Sequence, residues 1–412
     1  MGEIKINNWY TKVLVSSVIF LFLGIYFIPV SEGIINKDNI FSNNQGYFLN
    51  DDNFDLKIKL LMKIGHVPSI SMCVIDSNYS LWYKGYGYSK FLTRQKPTKD
   101  TIYLIASISK TVSATALMQL YEKGLFELDD DVNKYLDFNV RNPKYPNVPV
   151  TFRMLLAHRS SLSGNIPKNY FYSSYIKNYR NYPYPMIREM ITPNGSLYRD
   201  FIWNSYSPGH NADYADIGFI LVEHLIEVLS KQKYSDYCKQ NIFDPLNMKN
   251  TSFNLKDLKR KQLATPYFDI GRIFIPLPIV EGLYGIGGLR TSIDDFSHYV
   301  IAHMNGGVYE NERILNEPTV ELMHTQQFLN SFYGGIKYGL GFRIWYGHRV
   351  SRFSPYGHAG CGYGMTAHMG INKSNDRAII FFMNRAFDFS KIIDTMVYFK
   401  IMELLYFKEI SS

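Results

Sequence analysis

The sequence predicts an α+β protein in which one antiparallel sheet is built from both ends of the chain. Strand-like stretches occur near residues 69–89 and again after residue 336, whereas the sequence between them is mostly helix-like and loop-like. Of the 412 residues, 46% are hydrophobic and 19% are charged, so the chain can bury a substantial core. We therefore predict one globular domain over 53–412, with helices packed on the sheet. The sheet comes from 53–105 and 336–412, and 106–335 form a helical insert.

The first elements of this domain have clear sequence signals. Residues 53–65, "NFDLKIKLLMKIG", have apolar side chains at helical spacing and end at Gly65, a typical helix terminator. Residues 69–89 then predict two strands around the turn residues Asp76, Ser77 and Asn78. Strand signals return in "GLGFRIWYG", "VSRFSPYG", "GMTAHMGIN" and "RAIIFFMNR", and "KIIDTMVYFKIMELLYF" predicts a closing helix.

An uncharged apolar segment precedes the domain, from Val13 to Ser31. It is close to the roughly 20 residues that a membrane-spanning helix needs. Lysines before it favour a cytoplasmic tail over 1–12 and an extracytoplasmic domain, joined by a polar linker over 32–52. We therefore expect a single-pass membrane anchor. A cleaved signal peptide that releases a secreted protein is the alternative, because Ser31-Glu32-Gly33 is a small-x-small triplet.

Charge and cysteine content argue against several classes of protein. The net charge is +8, but lysine and arginine are scattered along the chain, so no nucleic-acid partner is expected. The three cysteines are Cys73, Cys238 and Cys361, and their spacing indicates neither a disulfide framework nor a zinc site. No phosphate-binding loop is present either. We expect no metal and no organic cofactor.

The stretch "YLIASISKTVSATALMQLYEKG", residues 103–124, combines a nucleophile with a base. Ser107 and Lys110 are three residues apart, so they face the same side of a helix. A serine hydroxyl needs a partner that removes its proton, and we expect the apolar surroundings to lower the pKa of Lys110 for this role. The S-x-x-K spacing also occurs at Ser174–Lys177 and Ser230–Lys233, where no strand leads into the motif.

Several further motifs follow in order, and together with S-x-x-K they resemble the serine β-lactamase-like family. They are "TFRMLLAHRSSLSG" (151–164), "SPGHNADYADIGFILVEHLIE" (207–227), "GIGGLRTSIDDFSHYV" (285–300), "YGLGF" (338–342) and "YGHAGCGYGM" (356–365). The family includes penicillin-binding carboxypeptidases, class C β-lactamases, esterases and D-amino-acid peptidases. The resemblance covers residues 64–384 and implies a β-lactamase/transpeptidase-like fold.

The resemblance also implies roles for individual residues. Ser107 would be the nucleophile, Lys110 its partner, and Tyr214 a proton relay to the leaving group. His358, Ala359 and Gly360 occupy the position of the K-T-G motif on the strand that borders the cleft. The backbone N–H groups of Ser107 and Cys361 would form the oxyanion hole.

Two departures from the family pattern affect the expected substrate. Asp216 stands where the pattern usually has Asn, and a carboxylate can only accept hydrogen bonds unless it is protonated. His358 and Ala359 replace Lys and Thr, so a permanent cation and a hydroxyl are lost. We therefore expect a serine esterase or peptidase acting on a small ester, amide or peptide, rather than a true β-lactamase. A catalytically silent protein that binds a cell-wall peptide or penicillin is the alternative, and the oligomeric state is undetermined.

Three other features carry no assigned chemistry. His158 is expected to close a helix end, and the Cys361 side chain is expected to pack without acting as a nucleophile. The tyrosine-rich segment 169–185 could form a wall or lid of the cleft, or a loop that covers the core. The apolar residues of 274–288 could form a second wall of the cleft.

Overall fold

The computed structural model describes residues 51–76, 81–167, 184, 186–270, 273–281, 284–329, 336–345 and 353–408. In this part of the chain, no helix combines the length and the apolarity that crossing a bilayer requires. The predicted segment 13–31, the tail 1–12 and the linker up to residue 50 lie outside the described residues. So does most of the tyrosine-rich segment, including Ser174–Lys177.

Helices and strands follow the predicted order. The helices are α1 (Asp51–Ile64), α2 (Ser109–Glu122), α3 (Phe152–Leu156), α4 (Met186–Ile191), α5 (Asp216–Ser230), α6 (Tyr234–Cys238), α7 (Ile293–Met304), α8 (Glu317–His324) and α9 (Ile392–Tyr406). The strands are β1 (Ser69–Ile75), β2 (Leu81–Gly87), β3 (Ile102–Leu104), β4 (Tyr267–Ile270), β5 (Ile273–Pro276), β6 (Arg290–Ser292), β7 (Val308–Tyr309), β8 (Glu312–Arg313), β9 (Ile336–Tyr338), β10 (Arg343–Trp345), β11 (Tyr356–Gly362), β12 (Met365–Asn372) and β13 (Arg377–Met383).

The main sheet has seven strands in the order β2-β1-β13-β12-β11-β10-β9, and its neighbours pair antiparallel. The first two strands in this order come from the beginning of the domain and the other five from its end. The α+β class and the origin of the sheet in both chain ends are therefore confirmed. Between them the chain is not purely helical, because β4 pairs with β5, β7 with β8, and β3 with β6.

Strand periodicity divides the core into two layers. On β1, the alternate residues Ile70, Met72 and Val74 join a cluster with residues of α1 and α9. Cys73 and Ile75 point to the opposite face and join the larger cluster formed with the helices between β3 and β9. Successive side chains of a strand point to opposite faces, so each face of the sheet buries its own helical layer.

Helix α2 lies inside the larger layer, and its residues from Ser109 to Leu120 are buried. Six of these twelve residues are polar, and they can be buried because they find partners: Ser113, Thr115 and Gln119 are hydrogen-bonded to Tyr234, Tyr299 and the Asn241 carbonyl oxygen. Its N-terminal end meets the sheet at β11. A Cβ atom on Gly360 would lie only 2.2 Å from the Ile105 carbonyl oxygen and 3.1 Å from the Ser107 nitrogen. Glycine at position 360 therefore permits the close approach that forms the candidate site.

Candidate active site

Ser107 lies in a 3-10 turn, Ala106–Ile108, that leads directly into α2. Ala106 has a φ of 47°, in the left-handed region that non-glycine residues seldom adopt. The Ser109 hydroxyl holds the turn by donating to the Ala106 carbonyl at 2.7 Å and accepting from the Leu289 N–H at 3.1 Å. Strained backbone that is fixed by its surroundings is common at functional sites, and here it positions Ser107 at the start of a buried helix.

Lys110 is fully buried and contacts three oxygen atoms. Its Nζ lies 3.3 Å from Ser107 Oγ, 2.6 Å from the Ile286 carbonyl oxygen and 2.7 Å from Asp216 Oδ1. Burial acts to lower the pKa of Lys110, but the Asp216 carboxylate and then Tyr214 outweigh it, so that this pKa lies above its ordinary value. The expectation of a lowered pKa for Lys110 was therefore wrong. In this arrangement Lys110 is a cation that donates hydrogen bonds.

Tyr214 and Asp216 lie at the start of α5, next to this cation. The Tyr214 ring centroid is 5.1 Å from Lys110 Nζ, and Asp216 is the first residue of the helix. Gly164 allows the loop to pass closely, because a Cβ atom there would lie 2.3 Å from the Tyr214 carbonyl oxygen. The structure therefore brings Ser107 and Lys110, at the start of α2, together with Tyr214 and Asp216, at the start of α5.

His158 packs against the loop that carries Tyr214. It is buried, its Nδ1 accepts from the Ala215 N–H at 3.2 Å, and its ring lies 4.4 Å from that of Tyr214. Burial, followed by the charges of Lys110 and Arg343, lowers the pKa of His158 well below its ordinary value. A neutral imidazole that accepts a backbone hydrogen bond fits the structural role that the sequence suggested.

On β11, His358 faces the same cluster. It is buried, its ring lies 6.1 Å from that of Tyr214, and its Nδ1 is 2.7 Å from the Ala359 carbonyl oxygen. Burial lowers the pKa of His358 well below its usual value, and the nearby cations Arg343 and Lys110 lower it further. His358 is therefore neutral at pH 7 and provides no positive charge for a substrate.

The known-protein comparisons identify the family. A model of the beta-lactamase family matches residues 54–401. The chain belongs to the beta-lactamase family. Among curated relatives, Protein flp of Staphylococcus aureus (strain MRSA252) is 26% identical over 243 residues, which are 58% of this chain and 46% of the relative. Beta-lactamase-like protein 2 of Dictyostelium discoideum is 28% identical over 302 residues, 70% of this chain and 51% of the relative. The chain thus spans about half the length of these curated relatives.

Solved structures show the same fold. The octameric penicillin-binding protein homologue from Pyrococcus abyssi has a TM-score of 0.71 and 26% identity, over 88% of this chain and 78% of that chain. D-amino acid amidase from Ochrobactrum anthropi SV3 has a TM-score of 0.65 and 21% identity, over 86% of this chain and 98% of that chain. The β-lactamase/transpeptidase-like fold is therefore confirmed over almost the whole described domain.

Within this beta-lactamase-family chain, the side chain of Ala359 does not face the cleft. It packs against the cluster formed with α1 and α9, on the far side of the sheet. Successive residues of a strand face opposite sides of the sheet. The two neighbours of Ala359 in sequence, His358 and Gly360, both face α2, so Ala359 faces away from it. Ala359 is therefore not the substrate contact that its place in the K-T-G position implied.

Cys361 follows Gly360 at the exposed end of β11. Its Sγ donates to the Phe387 carbonyl oxygen at 2.9 Å and lies 3.7 Å from Thr366 Oγ1. The thiol thus contacts the segment that follows β13 and the neighbouring strand β12, as expected for a packing residue. Gly360 brings β11 close to the Ser107 nitrogen, and the oxyanion hole formed by the N–H groups of Ser107 and Cys361 stays a prediction.

Sequence reasoning missed Arg343, which lies on β10 beside β11. Its guanidinium carbon is 4.7 Å from the Tyr214 ring centroid, and its backbone is paired with Gly357, next to His358. The buried Nε atom of Arg343 has no hydrogen-bond partner among the described residues. The sequence signal is an arginine between the apolar residues Phe342 and Ile344. Arg343 is thus a permanent cation on the strand next to the one that carries the third motif.

Proposed function

We propose that this beta-lactamase-family chain is a serine hydrolase that forms an acyl-enzyme on Ser107. The observation that carries the proposal is the contact between Ser107 Oγ and the buried Lys110 cation at 3.3 Å. A cation donating to the serine oxygen stabilises the negative charge that develops there as the proton leaves. The second S-x-x-K pair within the described residues has no such setting, since Ser230 ends α5 and Lys233 is exposed.

Tyr214 is the residue best placed to accept the proton of Ser107. Its ring centroid lies 5.1 Å from Lys110 Nζ, the same cation that contacts Ser107 Oγ. We propose that Ser107 Oγ attacks the acyl carbon while Tyr214 takes its proton and passes it to the leaving group. Water then releases the acyl group by the reverse route.

The substrate we propose is a small ester, amide or peptide, with esterase or D-amino-acid peptidase activity favoured over β-lactam hydrolysis. His358 is neutral and cannot replace the lysine of the third motif. Arg343 on the next strand does offer a charge to a substrate carboxylate, which keeps a peptide with a free carboxyl end within the proposal.

One observation supports the alternative of a silent binding protein. Asp216 pairs with Lys110 at 2.7 Å and offsets part of its charge. A protein that only binds a cell-wall peptide would tolerate this reduction of the positive charge on Lys110. Catalysis, by contrast, needs the part of that charge that still acts on Ser107. A silent binding protein would not be labelled covalently at Ser107, whereas a serine hydrolase would.

The experiment that separates the two is covalent labelling of the full chain with a fluorescent fluorophosphonate and with a fluorescent penicillin. We expect fluorophosphonate labelling of the wild type and its loss in Ser107→Ala. Ser230→Ala, which changes the exposed S-x-x-K pair, serves as the matched control and should label normally. Absence of labelling in a folded wild-type protein would favour the silent binding protein.

For the N-terminus, we propose that 13–31 anchors the protein as a single-pass span and places the hydrolase domain outside the cytoplasm. The support is its uncharged apolar sequence and the lysines that precede it. Secretion after signal cleavage is the alternative.

A further inference from the structure

The Ile286 carbonyl oxygen is the nearest of the three oxygen atoms that contact Lys110 Nζ. It accepts from Nζ at 2.6 Å, compared with 2.7 Å to Asp216 Oδ1 and 3.3 Å to Ser107 Oγ. An ammonium group has three protons on a rotatable stem. Because one proton is taken by the Ile286 carbonyl, the position of this carbonyl helps to set where the other two protons point, including the one directed at Ser107.

Ile286 lies in a short π-helical turn, Tyr284–Gly288, that packs against α2. Three of the five residues of this turn are glycine, and glycine leaves the backbone free to adopt many conformations. Contacts from neighbouring elements must therefore hold the Ile286 carbonyl in place. One such contact follows the turn, where the Leu289 N–H donates to the Ser109 hydroxyl at 3.1 Å. It fixes the end of the turn and leaves the residues before Ile286 to be held by another group.

Ser113 supplies this second contact. It lies one helical turn after Lys110 on α2 and is fully buried. Its Oγ donates to the Gly285 carbonyl oxygen at 3.2 Å and lies 2.8 Å from the hydroxyl of Tyr234, the first residue of α6. Gly285 immediately precedes Ile286 in the turn. The Ser113 hydroxyl therefore fixes the peptide group adjacent to the one that accepts from Lys110.

The number of protons in the cluster supports this direction of the hydrogen bond. A serine hydroxyl has one proton and can accept from a second hydroxyl. When Tyr234 donates to Ser113 Oγ, the serine proton is left for a carbonyl oxygen. Two carbonyl oxygens are within reach of Ser113 Oγ, that of Gly285 at 3.2 Å and that of Ser109 at 3.4 Å. The Gly285 carbonyl is the closer acceptor, so Tyr234, Ser113 and the turn form one chain of hydrogen bonds.

The missing side chain of Gly285 permits this arrangement. A Cβ atom there would lie 2.2 Å from Ser113 Oγ and 2.7 Å from both the Tyr234 hydroxyl and Glu223 Oε1. Three side-chain oxygens from α2, α6 and α5 thus converge on Gly285, and all three residues are buried. Burying polar groups is costly unless they are hydrogen-bonded, and apolar side chains could fill the same space. A polar cluster at this position therefore indicates that holding the turn is its role.

We propose that Ser113 is a positioning residue for Lys110 in the candidate active site. By holding the Gly285 carbonyl it fixes the adjacent Ile286 carbonyl, which in turn directs the Lys110 ammonium group toward Ser107 Oγ. Ser107, Lys110 and Ser113 follow one another at intervals of three residues, so they share one side of α2 and of the turn that leads into it. The effect on catalysis rests on the proposed acylation of Ser107, whereas the effect on the turn does not.

The first measurement is hydrogen exchange followed by mass spectrometry on the full chain in detergent. In Ser113→Ala the Gly285 carbonyl loses its donor, so peptides covering 284–289 should exchange about two- to tenfold faster than in the wild type, the effect of losing one neutral hydrogen bond. Thr115→Val is the matched control, because it removes another buried hydroxyl of α2, one that contacts Tyr299 at 2.9 Å and His303 at 3.0 Å. The control should leave exchange at 284–289 unchanged.

The second measurement is the pH dependence of hydrolysis of a neutral nitrophenyl ester by the same variants. In Ser113→Ala we expect kcat to fall about two- to tenfold and KM to change less than twofold, because the substrate contacts are intact. The alkaline limb of kcat/KM should move to lower pH, since the charged form of Lys110 loses a well-placed acceptor. Thr115→Val should leave the limb in place, because a loss of stability alone does not change the ionisation of Lys110.

A further variant keeps the test decisive if Ser113→Ala does not fold. Ser113→Ala leaves the Tyr234 hydroxyl buried without this partner, whereas Ser113→Ala with Tyr234→Phe removes both hydroxyls at a lower cost. The double variant should show the same faster exchange at 284–289 and the same displacement of the alkaline limb, because Tyr234 acts on the turn only through Ser113. Thermal unfolding checks that each variant is folded.

Three outcomes would overturn the proposal. The first is unchanged exchange at 284–289 in the folded Ser113 variants, which would show that Ser113 does not hold the turn. The second is faster exchange there with kcat and the alkaline limb as in the wild type, which would show that the turn does not position Lys110. The third is an equal displacement of the limb in Thr115→Val, which would make the effect a general loss of stability. Failure of the proposed function is distinct from these, because the wild type itself would then neither turn over the ester nor be labelled, while the exchange measurement would still decide whether Ser113 holds the turn.

Discussion

Replacing Asp216 with Asn tests whether Lys110 acts as a cation. Asp216 Oδ1 lies 2.7 Å from Lys110 Nζ, and the substitution removes the charge while keeping the size of the side chain. Two unit charges about 4 Å apart attract by roughly 4 kcal/mol at the effective dielectric of a protein surface. Asp216 is 46% exposed, so solvent screens this attraction and we take about 1.5–2 kcal/mol. Losing the carboxylate should therefore lower the pKa of Lys110, which Asp216 holds above its ordinary value.

The assay is kcat/KM for a neutral nitrophenyl ester between pH 6 and 11, corrected for spontaneous hydrolysis. If protonated Lys110 is required, the alkaline limb of the profile should move to lower pH, because a smaller rise in pH now removes the proton; the displacement should correspond to about 1.5–2 kcal/mol at 1.36 kcal/mol per pH unit. The rate near pH 7 should change less than about threefold, since Lys110 stays charged there. Asp129→Asn, which breaks an exposed ion pair with Arg153 elsewhere, is the control and should not move the limb.

Two results would refute this reasoning. An alkaline limb that stays in place would mean that Lys110 ionisation does not govern the reaction. A rate at pH 7 that rises about tenfold in Asp216→Asn would mean that neutral Lys110 is the base, because its neutral fraction would then limit the wild type.

Three further predictions follow from the charges and from the N-terminal sequence. Arg343→Gln should lower kcat/KM about ten- to a hundredfold for an ester that carries a carboxylate, because it removes a charge-assisted hydrogen bond. For a neutral ester the loss should be less than threefold. An equal loss on both substrates would show that Arg343 does not contact the carboxylate. Burial lowers the pKa of His358 in the folded protein. Below about pH 6.5, His358 therefore binds a proton in the unfolded chain but not in the folded protein, so the free energy of unfolding decreases as the pH falls. His358→Gln should reduce this dependence by up to about 1.4 kcal/mol per pH unit in denaturant titrations at pH 5 and 6, and an unchanged slope would contradict the assignment. Full-length protein should stay in the membrane fraction after carbonate extraction, and a soluble mature chain beginning near Glu32 would instead indicate signal cleavage.

Local geometry made part of the site predictable. Ser107 and Lys110 are one helical turn apart, so their contact follows from spacing once α2 is recognised. The two-ended sheet was also predictable, because β1 and β13 are strongly apolar runs with strand-like length. Both inferences depend only on residues that are close in sequence.

Contacts between distant segments were not predictable in the same way. The direction of the Lys110 pKa shift depends on Asp216, which a different helix delivers, and the apolar flanks of α2 alone suggested the opposite sign. Arg343 reaches the site through the pairing of β10 with β11, and strand register is not encoded in spacing. The orientation of Ala359 follows from strand alternation, which the motif comparison with K-T-G did not consider.

The central claim is that Ser107 carries the acyl group. The most direct measurement is mass spectrometry of the full-length protein quenched in acid during turnover of a slow ester, followed by peptide mapping. We predict one added acyl mass per chain, on the peptide that contains Ser107, and none in Ser107→Ala. Turnover accompanied by an acyl group on another residue, such as Cys361, or by continued acylation of Ser107→Ala, would contradict the account.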